Sequence, residues 1–93
     1  MTKYQEGWAE FTEVCRKMKS EHNYSELFEI LLTPQEKESI AMRCLIIREL
    51  LKKEKTQREI AKELSVSIAK ITRGSNELKR ASMSFLKYLK SIL

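Results

Sequence analysis

Side chains suited to contacting a nucleic acid are concentrated between residues 56 and 79, in the segment TQREIAKELSVSIAKITRGSNELK. Thr56 and Glu59 form a capping box that starts one short helix, and Ser67 can cap another directly after it. Two helices joined by so short a connection are typical of a helix-turn-helix, whose second helix places its N-terminal residues against base edges in the major groove. The segment therefore predicts binding to double-stranded DNA.

The outward positions of this motif are the candidate DNA contacts. Apolar residues recur every three or four positions, so Ile60, Ala61 and Ile71 are predicted to pack the two helices together. Arg58 lies at the start of the first helix, and its long side chain is the candidate for reaching a base. A guanidinium can bridge guanine N7 and O6. The alternative is that the segment is only a pair of helices in a bundle. The predicted DNA contacts are Gln57, Arg58, Ser67, Ile68, Ala69, Lys70, Thr72 and Lys79.

The charge of the 93-residue chain is uneven and agrees with a polyanionic partner. Its formal net charge is +5 at pH 7. Residues 1–33 hold four lysines and arginines against six acidic residues, whereas residues 34–93 hold fourteen against seven. Basic side chains gain affinity for DNA by releasing counterions from phosphates. A basic face is often merely solvated, so the charge supports the DNA prediction without establishing it.

Catalytic and metal sites are not indicated. Cys15 and Cys44 lack a CxxC spacing, and His22 stands alone in what reads as a loop. No paired carboxylates or nucleophile-base arrangement appears, so we expect neither an enzyme nor a metal or cofactor. The chain has no apolar run long enough for a signal peptide or a membrane span, and a cytoplasmic location without membrane contact is predicted.

The elements that must position the motif are predicted to be helices of a single domain. A first helix carries an apolar, partly aromatic stripe formed by Tyr4, Trp8, Phe11, Cys15 and Met18. This stripe serves either the core of the subunit or a subunit interface. A second helix is predicted at about residues 25–32, buried on most sides. Because so small a chain buries only a modest core, oligomerisation is expected.

A third helix carries one charge that does not fit its apolar stripe. It begins at TPQE, where Thr33 is the N-cap, Pro34 the first helical residue and Glu36 the third, and it is predicted to end near Lys53. Arg43 interrupts the stripe. Its guanidinium must snorkel to solvent, pair with Glu36, or line a pocket for a carboxylate, and these alternatives stay open from the residues alone.

Residues 31–79 resemble the bacterial tryptophan repressor family without a gap. The matching signatures are LTP, the arginine at position 43, QRE and ITRGSN. The resemblance implies an all-α chain of six short helices that interlaces with a second copy into a two-fold homodimer, through helices at about 3–32, with the helix-turn-helix at about 57–80. It also implies a repressor of tryptophan biosynthesis or uptake genes that binds operator DNA when its corepressor, L-tryptophan, is bound.

The resemblance further implies a tryptophan site. In the family, arginines at the positions of Arg43 and Arg73 sandwich the indole, and an arginine and the threonine at the position of Thr33 in the other subunit hold the carboxylate. Backbone carbonyls at two further positions receive the ammonium group. Gly74 is expected to leave room for the ligand, although close helix packing also requires glycine. The implied ligand-binding residues are Ile30, Leu32, Thr33, Arg43, Arg73, Gly74 and Glu77.

Several positions depart from the family pattern. Ala61 stands where a better-known member has a lysine, and Lys62 and Lys70 carry charge at neutral positions, so the operator sequence is expected to differ. Glu77 replaces a serine that helps to hold the amino group of the ligand, and it either pairs with that ammonium or selects a related effector. The alternative functions are therefore the same fold responding to another indole-type effector or to none, and a dimeric interaction module that does not bind DNA.

Overall fold

Six α-helices make up the chain in the computed structural model, which describes residues 1–93. They are α1 (Lys3–Lys17), α2 (Glu21–Leu31), α3 (Pro34–Lys52), α4 (Gln57–Leu64), α5 (Ile68–Leu78) and α6 (Met83–Ile92). The predicted all-α class with six short helices is confirmed, while interlacing with a second copy stays a prediction. None of the helices combines the length and the apolar character needed to cross a lipid bilayer.

The chain divides into two compact units, Met1–Glu36 and Lys37–Leu93. The division falls in the first turn of α3. The first unit holds α1 and α2, which are joined by a hydrogen bond from the Tyr24 hydroxyl to the Cys15 carbonyl at 2.8 Å. The second unit holds the remainder of α3 together with α4, α5 and α6, and therefore contains the predicted DNA-contacting helices.

The helix α2 begins earlier than the sequence pattern predicted. The Ser20 hydroxyl accepts a hydrogen bond from the Asn23 N–H at 3.1 Å, and this cap starts the helix at Glu21 rather than near residue 25. The prediction that His22 lies in a loop was therefore wrong. His22 is helical, and its Nε2 lies 3.6 Å from a carboxylate oxygen of Glu26, one turn along α2. The apolar pattern did not reveal this first turn because the turn is polar.

Much of the apolar surface of the first unit is exposed in the single chain. Trp8 is 58% exposed, although its ring centroid lies 5.3 Å from that of Phe11. Ile30 is 82% exposed, so the prediction that α2 is buried on most sides does not hold within one chain. Met18, predicted on the α1 stripe, is the C-cap residue and has an extended backbone. These exposed aromatic and aliphatic side chains are available for contact with another molecule.

The helix α3 begins at the predicted cap. The Thr33 N–H donates to Glu36 Oε1 at 2.8 Å, and the Glu36 N–H donates to Thr33 Oγ1 at 3.2 Å. This reciprocal pair is the capping box predicted at TPQE. The helix ends at Lys52, and Lys53 adopts a left-handed backbone with φ 56°, where the chain leaves α3 for α4.

The core of the second unit lies where α3, α4 and α5 meet. Ile60 and Ile71 are fully buried, as predicted, and Ala61 is small enough to let α4 and α5 approach closely. The buried residues are Ile46, Ile60, Ala61 and Ile71, and the half-buried residues packed on them are Met42, Leu50, Leu64 and Val66. This core fixes α4 and α5 on α3, the helix that carries Arg43.

Candidate DNA-contacting surface and ligand cavity

The connection between α4 and α5 is short and held by backbone hydrogen bonds. Ser65 ends α4 in a left-handed conformation with φ 56° and ψ 44°, and the Val66 N–H donates to the Ala61 carbonyl at 3.0 Å. Ser67 then caps α5 by accepting a hydrogen bond from the Lys70 N–H at 3.4 Å. These bonds and the buried isoleucines set the angle between the two helices.

The predicted DNA contacts are mostly exposed on these two helices. Gln57 is half-buried and Arg58 is exposed at the start of α4, and the remaining exposed candidates are Ser67, Ile68, Ala69, Lys70, Thr72 and Lys79. The Thr72 hydroxyl donates to Gln57 Oε1 at 2.9 Å, so two of the candidates are bonded to each other. The charged members of this face are all basic, which suits contact with phosphates.

A buried carboxylate that the sequence reasoning missed joins α3 to α4. Glu49 is 4% exposed, and its carboxylate lies 3.0 Å from Arg48 Nε, 3.3 Å from Lys52 Nζ and 3.2 Å from Lys55 Nζ. Lys55 also pairs with Glu63 on α4. Hydrogen bonds from Lys55 and then Arg48 lower the pKa of Glu49 to about 2. The pairs with Lys55 therefore hold the segment before α4 against both helices.

A cavity of about 490 Å³ opens between α3 and α5, within the range of volumes typical of small-molecule sites. Its lining residues are Ser39, Met42, Arg43, Ile46, Ile47, Lys70, Arg73, Gly74 and Glu77. Four of the seven residues implied as ligand-binding, Arg43, Arg73, Gly74 and Glu77, therefore lie around one cavity. Lys70, predicted only as a DNA contact, lines the same cavity.

Arg43 lines this cavity and is not paired with Glu36. The Glu36 carboxylate accepts from the Thr33 N–H within the cap of α3, and Arg43 is exposed. Of the alternatives for Arg43, pairing with Glu36 is not what the structure shows. Arg43 on α3 and Arg73 on α5 both line the cavity, together with apolar residues of α3.

Gly74 lies on α5 close to the side chains of α3. A Cβ atom at this position would lie 3.0 Å from Ile46 Cγ2 and 3.4 Å from Leu50 Cδ1. The first distance is shorter than ordinary van der Waals contact, and Ile46 is almost completely buried. A side chain at this position would therefore be crowded by Ile46, and Gly74 and Ile46 also both line the cavity.

Glu77 lies in the last turn of α5 and forms an ion pair with Arg80. Its carboxylate is 3.5 Å from Arg80 Nη1, and both side chains are more than half exposed. An exposed pair of this kind contributes little to stability, so the carboxylate is available to other partners. Glu77 is the single acidic residue among those that line the cavity.

Three implied ligand residues belong to the first unit and are absent from the lining of this cavity. The Leu32 N–H donates to the Phe28 carbonyl at 3.0 Å as the C-cap of α2, and Thr33 caps α3. The side chain of Ile30 is exposed. Their roles toward a ligand stay predictions.

Comparison with known proteins gives consistent matches along the chain. Residues 6–93 match the family model described as Trp repressor protein. A Trp operon repressor homolog of Chlamydia caviae is 46% identical over 86 residues, which cover 92% of this chain and 85% of that protein. One of Chlamydia trachomatis serovar L2 is 47% identical over 83 residues, with 89% and 88% covered. One of Vibrio campbellii is 43% identical over 86 residues, with 92% and 86% covered.

Proposed function

This chain belongs to the Trp repressor family of transcriptional regulators, and from that premise we propose that it represses transcription by binding operator DNA as a homodimer when L-tryptophan is bound. The genes it controls are those of tryptophan biosynthesis or uptake. The observation that supports this most strongly is the cavity. It brings together Arg43, Arg73, Gly74 and Glu77, and one of its walls is α5, the helix proposed to read DNA.

In the proposed complex, the N-terminal end of α5 enters the major groove. Ser67, Ile68 and Ala69 then face base edges, while Gln57 and Arg58 at the start of α4 reach phosphate or base. Lys70 and Thr72 add contacts along α5, and Lys79 adds one directly after it. Phosphate contacts position the protein and base contacts give specificity, so both sets are needed.

On the ligand side, we propose that Arg43 and Arg73 hold the indole between their guanidinium planes, an arrangement favoured because guanidinium groups stack on aromatic faces. Thr33 and the backbone carbonyls of Ile30 and Leu32 come from the second copy, to hold the carboxylate and the ammonium group. The exposure of Ile30 in the single chain is compatible with such a contribution. Binding needs no metal or cofactor and no catalytic step.

The homodimer is supported by the exposed apolar side chains of the first unit, in which Trp8 and Ile30 are both more than half exposed. Burying them against a second copy removes apolar surface from water, at about 25 cal/mol for each Å². A two-fold dimer also matches the DNA geometry, because two reading helices must enter successive major grooves about 34 Å apart. In bacteria the chromosome lies in the cytoplasm. A repressor that binds operator DNA therefore acts in the cytoplasm, and we propose that location for this protein.

Coupling between tryptophan binding and DNA binding is proposed because α5 forms one wall of the cavity and is also the helix proposed to read DNA. A ligand lodged between α3 and α5 sets the position of α5, and it favours DNA binding if it binds the DNA-competent arrangement more tightly. A difference of about 1–3 kcal/mol is typical of such coupling and corresponds to a change of about 5- to 150-fold in DNA affinity.

Calorimetry with L-tryptophan tests the ligand part of the proposal. Wild type is expected to bind, and Arg43→Ala and Arg73→Ala are expected to weaken binding strongly, because each removes a side chain of the cavity. The control is Arg16→Ala, since Arg16 bonds to Glu13 on α1, in the other unit. Absence of tryptophan binding by wild type, or equal binding by all four proteins, contradicts the proposal.

A further inference from the structure

A single lysine ties the connection between α3 and α4 to both helices. Lys55 lies in residues 53–56, between the end of α3 and the start of α4. Its Nζ is 3.2 Å from Glu49 Oε1 on α3, and it also pairs with the carboxylate of Glu63 in the last turn of α4. The Lys55 side chain is 33% exposed. An ammonium group held by two carboxylates has little donor capacity left for a further partner.

The α3 end of this link is fixed because Glu49 is held on its other side as well. Glu49 is 4% exposed, and its Oε2 lies 3.0 Å from Arg48 Nε and 3.3 Å from Lys52 Nζ, which leaves Oε1 to Lys55. A buried carboxylate has to be paired. Without Lys55, Glu49 would still have two basic partners, so we expect the fold to survive a substitution of Lys55.

The link lies directly beside residues that are proposed to contact DNA. Lys55 is followed by Thr56, the N-cap of α4, and then by Gln57 and Arg58. The Thr56 N–H donates to Glu59 Oε1 at 3.0 Å, and the Glu59 N–H donates to Thr56 Oγ1 at 3.1 Å. This capping box sets the local geometry of the turn. The ion pairs of Lys55 add a connection from the turn to α3, which a local cap does not provide.

We propose that Lys55 is a positioning residue for operator binding, whose pairs with Glu49 and Glu63 hold the start of α4 so that Gln57 and Arg58 meet DNA already ordered. The inference rests on the proposed function, because it takes this surface to bind operator DNA. It goes further by giving a role to a lysine that does not itself touch DNA. A mobile start of α4 would have to be ordered during binding, and that ordering lowers affinity.

The pairing of Lys55 distinguishes this role from that of a lysine that contacts phosphate. Loss of one phosphate contact reduces the slope of log affinity against log salt by about 0.9. The charge of Lys55 is matched by two carboxylates, so its removal is expected to lower operator affinity and leave the slope unchanged. Removal of the charge of Glu63 makes the protein more basic, yet it should weaken operator binding because it breaks the link to α4.

Fluorescence anisotropy tests the proposal with a labelled duplex from upstream of tryptophan biosynthesis genes, at saturating L-tryptophan. Lys55→Met keeps the length of the side chain and removes its charge, and we expect operator affinity to fall about two- to tenfold for each subunit. The salt slope, and the tryptophan affinity measured by calorimetry, should stay at their wild-type values. Lys55→Arg keeps the charge and should restore most of the affinity. Lys3→Met, which removes an exposed pair with Glu6 on α1, is the matched control and should leave operator affinity unchanged.

Two further variants show whether Lys55 acts through the neighbouring DNA contacts. Glu63→Gln breaks the link at α4 and should weaken operator binding, and it is expected to fold because Glu63 is 49% exposed. This variant carries the test if Lys55→Met does not fold. In a protein that already carries Arg58→Ala, the effect of Lys55→Met should shrink, because the contact that Lys55 positions is absent. Circular dichroism establishes that the helices of each variant are intact.

The possible outcomes separate the inference from the proposed function. Weaker operator binding by Lys55→Met and Glu63→Gln, with an unchanged salt slope and recovery in Lys55→Arg, supports the inference. The inference is overturned, and the proposed function stands, if wild type binds the duplex and Lys55→Met binds it equally well or loses about 0.9 in slope for each subunit. An effect of Lys55→Met that is equally large with Arg58→Ala also overturns it. If wild type does not bind the duplex, both are overturned.

Discussion

The Thr72 hydroxyl donates a hydrogen bond to Gln57 Oε1 at 2.9 Å, which joins the outer face of α5 to the first residue of α4. The Ile68 carbonyl lies 3.1 Å from the same hydroxyl. Thr72 is thereby held against its own helix and against the start of α4. If both residues contact DNA, as proposed, they reach it as one preformed unit rather than as two independent side chains.

Substitutions at these two residues are expected to be non-additive. Thr72→Val and Gln57→Ala each break the same hydrogen bond, so the double variant should lose less operator affinity than the two single losses combined. The coupling is expected to be about 0.5–1.5 kcal/mol, the typical net contribution of one hydrogen bond. Fluorescence anisotropy with labelled operator DNA measures it. Strict additivity contradicts the preformed unit.

Gly74→Ala is expected to lower stability despite the better helix propensity of alanine. Alanine gains about 1 kcal/mol over glycine inside a helix, whereas crowding a packed core typically costs about 1–3 kcal/mol. Here the added Cβ would meet Ile46 Cγ2 at 3.0 Å. Urea denaturation should therefore show a lower free energy of unfolding for Gly74→Ala. This decrease should shrink or reverse when Gly74→Ala is introduced into a protein that already carries Ile46→Ala.

Gly7→Ala is the control for the Gly74 substitution. Gly7 lies inside α1, and nothing is within 4 Å of the position that its Cβ would take. Within one chain the added Cβ makes no contact, and helix propensity is expected to stabilise the protein by about 0.5–1 kcal/mol. Equal effects at the two glycines would show that packing of α5 on α3 does not require glycine.

Low pH is expected to weaken the ion pairs of Glu49, which connect α3 through Lys55 to α4. Lys55, Arg48 and Lys52 lower the pKa of Glu49 from 4.5 to about 2. A carboxyl whose pKa is lower in the folded state stabilises the fold above its unfolded pKa and loses that contribution as the pH falls through its folded pKa. The free energy of unfolding should therefore fall between about pH 4.5 and pH 2 as this contribution is lost.

Glu49→Gln isolates this contribution. The variant should be less stable than wild type at neutral pH, and the difference between the two should shrink as the pH falls from 4.5 to 2. Urea denaturation at a series of pH values measures the difference. Glu10→Gln, at an exposed position of α1, is the control and should leave the pH profile of wild type unchanged. A difference independent of pH contradicts the assignment of the buried ion pairs.

Lys70 is expected to contribute to the salt dependence of DNA binding. If it contacts a phosphate, Lys70→Gln should weaken operator binding and reduce the slope of log affinity against log salt by about 0.9 for each lost contact, or roughly two for a dimer. A salt series of anisotropy measurements gives the slope. Lys87→Gln, on α6, is the control. An unchanged slope would assign Lys70 to the ligand cavity alone.

Local signals in the sequence predicted the starts of α3 and α4 and the core of the second unit. Capping boxes at Thr33 and Thr56 fixed two helix starts, because a cap depends on residues only three positions apart. The burial of Ile60 and Ile71 followed from helical periodicity. The start of α2 was missed because its first turn is polar, and a pattern of apolar residues does not detect a polar turn.

The remaining features depend on how helices cross, which periodicity does not reveal. Glu49 reads as an ordinary acid beside Arg48, and its burial becomes apparent only when the turn at Lys53 returns Lys55 to it. The sequence predicts only a DNA contact for Lys70, because it does not show that α3 runs beside that turn of α5. The arginines of the cavity were identified through family resemblance, while the residues alone left Arg43 undecided.

The most direct test of the central claim is a mobility shift with DNA from upstream of tryptophan biosynthesis genes, with and without L-tryptophan. The claim is that the cavity between α3 and α5 couples tryptophan to operator binding. We predict that tryptophan tightens binding of wild type by about 5- to 150-fold, and that this effect is lost in Arg43→Ala and Arg73→Ala. Equally tight binding by wild type with and without tryptophan would contradict the account.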